Sequence, residues 1–147
     1  MPNSGTHKAV GACAGLISLL VLPPLSPGGG PATLAGRIAG GVAGGLLPDR
    51  LEPATSPLHR STCHSAAMGA TTLTVVDGAR KLEAYLYGKS AETRHEAEGQ
   101  SNAVLRFLQK VWAWAVEFLG GAAVGVAAGY LSHLAVDMLT PAGIPVL

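Results

Sequence analysis

Charge is scarce in this sequence. Of its 147 residues only 13% are Asp, Glu, Lys or Arg, about half the share of an ordinary soluble domain. The few charges nearly cancel, to a formal net of +1, and no basic block is present. Nucleic acid is therefore not expected as an electrostatic partner. Cysteine is almost missing too. Cys13 and Cys63 have no zinc-finger spacing and make no disulfide framework. The length allows one domain, spanning residues 1–147, with one core. What fills the space left by charge is apolar residues, 48% of the chain, and 20 glycines. This is the profile of a small helical membrane protein, or of an unusually apolar soluble bundle.

The apolar residues gather into four stretches. The first, His7 to Leu22, is stopped by Pro23-Pro24 and the turn-rich SPGGGP. Its apolar part has the length of a signal-peptide core, but the basic flank is only Lys8 and no small-residue cleavage site follows. The segment is expected to be retained. The second stretch, Ala32 to Leu47, carries Arg37 alone and is expected to end at Pro48. Its Gly36, Gly40 and Gly44, with Gly41 and Gly45 in parallel, have the small-xxx-small spacing that lets helices approach closely in a bilayer.

The third, Ala66 to Val76, is short and extends as an amphipathic helix through Leu82, Tyr85 and Leu86. From Asp77 to Lys110 the chain is hydrophilic and holds six of the ten basic residues. Its centre reads as a solvated loop, with Ser101 or Asn102 capping the next helix. The fourth stretch, Val111 to Leu131, comes nearest to the roughly 20 residues a bilayer crossing takes. Trp112 and Trp114 sit where an interfacial aromatic belt would lie, and Gly121, Gly125 and Gly129 repeat the glycine spacing. The fold expected is all-α: a small membrane-associated bundle of about four apolar helices, with a polar loop between the third and fourth. Its Gly-rich helices offer faces for a homo-oligomer, and membrane lipids are the expected surroundings.

Polar residues stand out against this background. His133 and Asp137 are four apart, one helical turn, at the end of the last apolar run. Such groups are costly in apolar surroundings unless paired or metal-bound. If neighbouring helices alternate in direction, as short connections require, partners arrive. His7 begins the first helix at the same end. Asp49 leaves the second there, and the following connection holds Glu52, His59, Arg60 and His64. Four of the five histidines and two of the three aspartates thus converge. Imidazoles with carboxylates suit a divalent metal, zinc first, with manganese or iron also accommodated. The candidates suffice for one ion, or for two bridged by a carboxylate. Arg60 fits neutralisation of a phosphate, or a structural pairing with Asp49 or Glu52. His95 belongs to the charged segment, and Glu117, sixteen residues before His133, to the far end. Cys63 is read as a bystander beside His64, and Tyr130 as packing or orienting His133.

Three blocks carry a family resemblance: THKAVGA near the start, LLPDRLEPATSPLHRSTCHS in the middle and GYLSHLAVDMLTPAGIPVL at the end. Together they resemble the YdjM-like, LexA-binding, inner-membrane-associated metal-dependent hydrolases. Where many members have Gly and Thr in the middle block, this chain has Ser61 and Cys63. Where many have a second Asp, it has Leu51 followed by Glu52. That family is similar in turn to the zinc-dependent phospholipase C and single-strand nuclease superfamily. The resemblance implies metal roles for His7, Asp49, His64, His133 and Asp137, with His59 and Glu52 as further motif residues.

The function implied is a bacterial inner-membrane hydrolase acting on a phosphoester or phospholipid-like substrate. Asp49 or Glu52 would activate a metal-bound water, and Arg60 would hold the anionic group. The alternative is a non-catalytic structural or regulatory membrane protein whose His/Asp cluster binds a structural metal. The basic residues between 77 and 110 favour placing that segment in the cytoplasm and the cluster outside.

Overall fold

The computed structural model describes residues 4–25, 29–53 and 62–140. They form four helices in the order α1 (Ser4–Val21), α2 (Pro31–Leu51), α3 (Ala66–Gly99) and α4 (Ala103–Met138), with no strand among the described residues. The starts of α2, α3 and α4 each have a local cause. Pro31 opens α2 from the first turn, where its missing N–H costs nothing. Ser65 caps α3, its Oγ accepting from the Met68 amide at 3.2 Å. Asn102 caps α4, accepting from Val104 and Leu105 at 2.9 and 3.2 Å.

Two boundaries differ from the sequence expectation. First, α2 runs through Pro48 to Leu51. Proline inside a helix removes one amide donor, but a single missing bond near the C-terminus does not end the helix while the residue is buried in packing. Second, the polar segment 77–110 is helical apart from Gln100–Asn102, which turns α3 into α4. Its Glu, Ala, Lys and Arg are good helix formers, and Asp77–Lys81 and Lys89–Glu92 pair along the surface at 2.6 and 2.8 Å. What looked like a loop is the solvated face of a helix whose other face buries Glu83, Ser90 and Ala97. At 34 and 36 residues, α3 and α4 are about 50 Å long, so this hairpin outreaches α1 and α2 by roughly 20 Å.

Helix α2 lies between α1 and α4, and α3 packs along α4. Backbone approach holds the first three together. A Cβ on Gly41 would collide with the Gly11 carbonyl of α1, and one on Gly129 of α4 would collide with the carbonyl of Gly41 itself. Three helices therefore meet at Gly41 with no side chain between them. Gly36, Gly40 and Gly44 meet the α4 backbone at Phe118, Ala122 and Val126 in the same way. The glycines of the second and fourth stretches thus pack these two helices against each other, as their common spacing predicts.

Two buried polar clusters complete the core away from the site. Arg37 grips Glu83 of α3 through Nε and Nη2 at 2.7 and 2.6 Å. Glu117 accepts from Gly30 N and Thr33 Oγ1 at the start of α2, both at 3.0 Å, and pairs with Arg94. Large apolar side chains face outward instead, among them Leu20, Leu73, Phe107 and Trp112. Helices α1 and α4 are long and apolar enough to cross a membrane.

Candidate metal centre

Alternation of the helices brings four chain segments to one end. His7 lies in the first turns of α1, Asp49 near the end of α2, His64 just before α3, and His133 and Asp137 in the last turns of α4. His7, His64, His133 and Asp137 are each 3% exposed or less. The Asp49 side chain is 47% exposed and forms the mouth.

Four of these residues close into a ring. His64 Nε2 lies 3.2 Å from Asp49 Oδ1, and that oxygen 3.7 Å from His133 Nε2. His133 Nε2 lies 3.3 Å from Asp137 Oδ2, which is 3.9 Å from His64 Nε2. A tetrahedral zinc with bonds of about 2.0–2.1 Å sets its ligand atoms about 3.4 Å apart. The observed separations bracket that edge. His7 adds a fifth donor: its Nε2 lies 3.9 Å from Asp137 Oδ1, and its ring stacks on His133 at 3.8 Å.

The donor atoms are also prepared for a cation. His133 Nδ1 donates to the Gly45 carbonyl at 2.7 Å, which fixes the tautomer and leaves the Nε2 lone pair facing the ring. Nε2 itself is buried with no hydrogen-bond partner, as is His7 Nδ1. These residues fit a divalent ion.

His133 links two groups of donor atoms. Donor atoms cluster as His7, Asp49, His133 and as His64, His133, Asp137. Both groups need His133, whose Nδ1 is committed to Gly45 and whose Nε2 has one lone pair. Among the described residues the two groups therefore share one donor and are not independent of each other.

Glu52 sits behind this ring. Its carboxylate accepts from the Cys63 and Thr62 amides at 2.7 and 3.0 Å and meets His64 Nδ1 at 3.4 Å. Partial burial opposes its charge, but the hydrogen bonds from Cys63, His64 and Thr62 outweigh this and hold the carboxyl below its usual range. It thus orients His64 as a carboxylate–histidine pair. Glu52→Ala is expected to weaken metal binding by about 10- to 100-fold with folding retained, measured by competition against a chelator. Unchanged affinity would mean that His64 is held some other way.

Burial and the neighbouring Glu52 charge push the Cys63 thiol up, away from the thiolate a metal needs. Its carbonyl accepts from the Tyr130 hydroxyl, which ties the His64 segment to α4. His59 and Arg60 lie outside the described residues. His95 is exposed, and Glu117 serves the far end. Sequence reasoning had no route to Gly45, whose part is played by a backbone carbonyl.

Comparison with curated proteins finds no match, and comparison with solved structures finds none either. One family model covers the chain from end to end, residues 1–147: that of the YdjM inner membrane protein.

Proposed function

This chain belongs to the YdjM inner membrane protein family, and we propose that it is a metal-dependent phosphoester hydrolase of that membrane, taking a phosphoester or phospholipid-like substrate. The observation that carries this reading is the run of close separations linking His64, Asp49, His133 and Asp137, with His133 Nε2 buried and unsatisfied. The resemblance to the zinc-dependent phospholipase C and nuclease superfamily adds the reaction class. A single divalent ion, zinc first, would be held by His64, His133 and Asp137, with His7 and Asp49 completing its shell. Bound there, it supplies Lewis acidity toward a phosphoester oxygen.

The chain's own groups do the rest. Asp49 is the one donor open to solvent, so it receives the proton of the attacking water at the mouth. Glu52 positions His64, and Arg60 on the sequence reading binds the anionic group.

One observation favours the structural or regulatory alternative. The donors come from the ends of α1, α2 and α4 and from the segment before α3, so one ion would fasten every helix of the bundle. Elemental analysis of the purified protein is expected to return one divalent ion per chain, and its removal by a chelator to abolish hydrolysis of a phosphodiester. A wild-type protein with no metal above background would remove the basis for both readings. Metal without hydrolysis would leave the structural one.

A further inference from the structure

An apolar groove of about 610 Å³ is lined by α2, α3 and α4, and its lining residues adjoin the ligand-bearing segments without including a ligand. Its walls are Leu47 of α2, Met68, Val75 and Leu82 of α3, and Val126 and Tyr130 of α4. Met68 to Leu82 spans about 21 Å of helix, so the groove is long and follows the helix axes.

Its upper end touches the ligand-bearing segment. Leu47 precedes Asp49 by two residues. The Met68 amide bonds Ser65, the neighbour of His64, and the Tyr130 hydroxyl bonds the Cys63 carbonyl. The wall is also dry. Its polar side chains are Thr72, Thr74 and Tyr130, and all three hydroxyls are spent. Thr72 donates to Met68 O at 2.9 Å and Thr74 to Thr71 O at 2.7 Å, both within their own helix. A polar ligand would find no partner there and would lose its hydration. A hydrocarbon loses nothing, and the volume is that of a ligand site. Val75 and Leu82, about half exposed, line its open side.

We propose that this groove holds a hydrocarbon chain of a membrane lipid whose phosphoester headgroup lies at the metal centre. The inference rests on the phosphoester reading above and names its substrate as a lipid taken sideways from the bilayer. It also gives Tyr130 a positioning role, since its ring walls the chain site while its hydroxyl steadies the segment that carries His64.

The test uses the full chain in phosphatidylethanolamine–phosphatidylglycerol vesicles containing a trace of phospholipid with a diazirine on one acyl chain. Gly78 opens on the groove, and a Cβ there meets nothing within 4 Å. Gly78→Phe therefore places a large apolar side chain at the groove with no clash at its Cβ and removes a helix-weakening glycine. Ala79→Leu is the second variant, and retained metal content reports folding for both. Photolabelling of the 75–82 and 123–126 peptides is expected in wild type and is expected to fall several-fold in the variants, while labelling of the outward Leu20–Val21 surface stays. Groove labelling that both variants leave unchanged overturns the proposal.

Filling the groove is further expected to lower kcat/KM for a long-chain lipid phosphoester about tenfold more than for a water-soluble phosphodiester. Equal effects on the two substrates overturn it as well. Labelling that is lost on filling, in a protein that hydrolyses neither substrate, supports the groove and sinks the hydrolase reading alone.

Discussion

His133→Ala is expected to weaken metal binding by well over 100-fold and to bring phosphodiester hydrolysis to background. The scale comes from comparison: losing an orienting partner outside the shell costs about 10- to 100-fold, and His133 is itself a donor common to both groupings of the cluster. Its alanine variant also strands the Gly45 carbonyl that Nδ1 now bonds, at a cost of about 1–3 kcal/mol. Instability in this variant would by itself have two explanations. Asp49→Ala separates them. Its side chain is 47% exposed, so truncation removes a donor and little packing. If Asp49→Ala inserts and folds while hydrolysis disappears, the hydrolase reading stands. If Asp49→Ala unfolds as His133→Ala does, the ion is a fastener. Metal content by elemental analysis, with thermal unfolding in detergent for both variants, reads the difference.

The convergence at this end could be read from the sequence because it needs only element count and direction. Four apolar stretches with short connections force alternation, and alternation puts His7, Asp49, His64, His133 and Asp137 together whatever the packing detail. Glu52 shows where that reasoning stops. Its place behind His64 is set by the amides of Thr62 and Cys63, and backbone donors carry no mark in a sequence. The Gly45 carbonyl is hidden for the same reason.

Helix α3 was harder to read for a different reason. Its buried face is polar, made of Glu83 and Ser90 rather than leucines, so the usual apolar period is missing. Pro48 misled in the opposite direction, as a strong local signal overridden by burial. The shared glycine spacing of the second and fourth stretches predicts that these helices pack together, and α2 glycines do meet the α4 backbone; the approach of Gly41 to Gly11 of α1 has no such signal in the sequence.

Arg37→Leu is expected to destabilise the bundle by about 3–5 kcal/mol, the cost of leaving a buried carboxylate without its partner. Arg37 is fully buried, and besides Glu83 its Nη1 donates to Leu22 O at 2.8 Å and Ser18 Oγ at 3.3 Å. One guanidinium thus joins α1, α2 and α3, and α3 otherwise packs on α4. The double variant Arg37→Leu with Glu83→Leu removes both charges. Because a buried ion pair pays for desolvation, it should recover most of the loss. A double variant as unstable as the single would show that the pair adds net stability beyond avoiding a stranded charge.

The same variants isolate the metal. Arg37 and Asp49 are twelve residues apart on α2, about 18 Å along the axis, so the two sites should act independently. A chelator is therefore expected to lower the unfolding temperature by the same amount in wild type and in Arg37→Leu. A much larger shift in Arg37→Leu would mean that the ion takes over the work of holding α3 when the ion pair is gone.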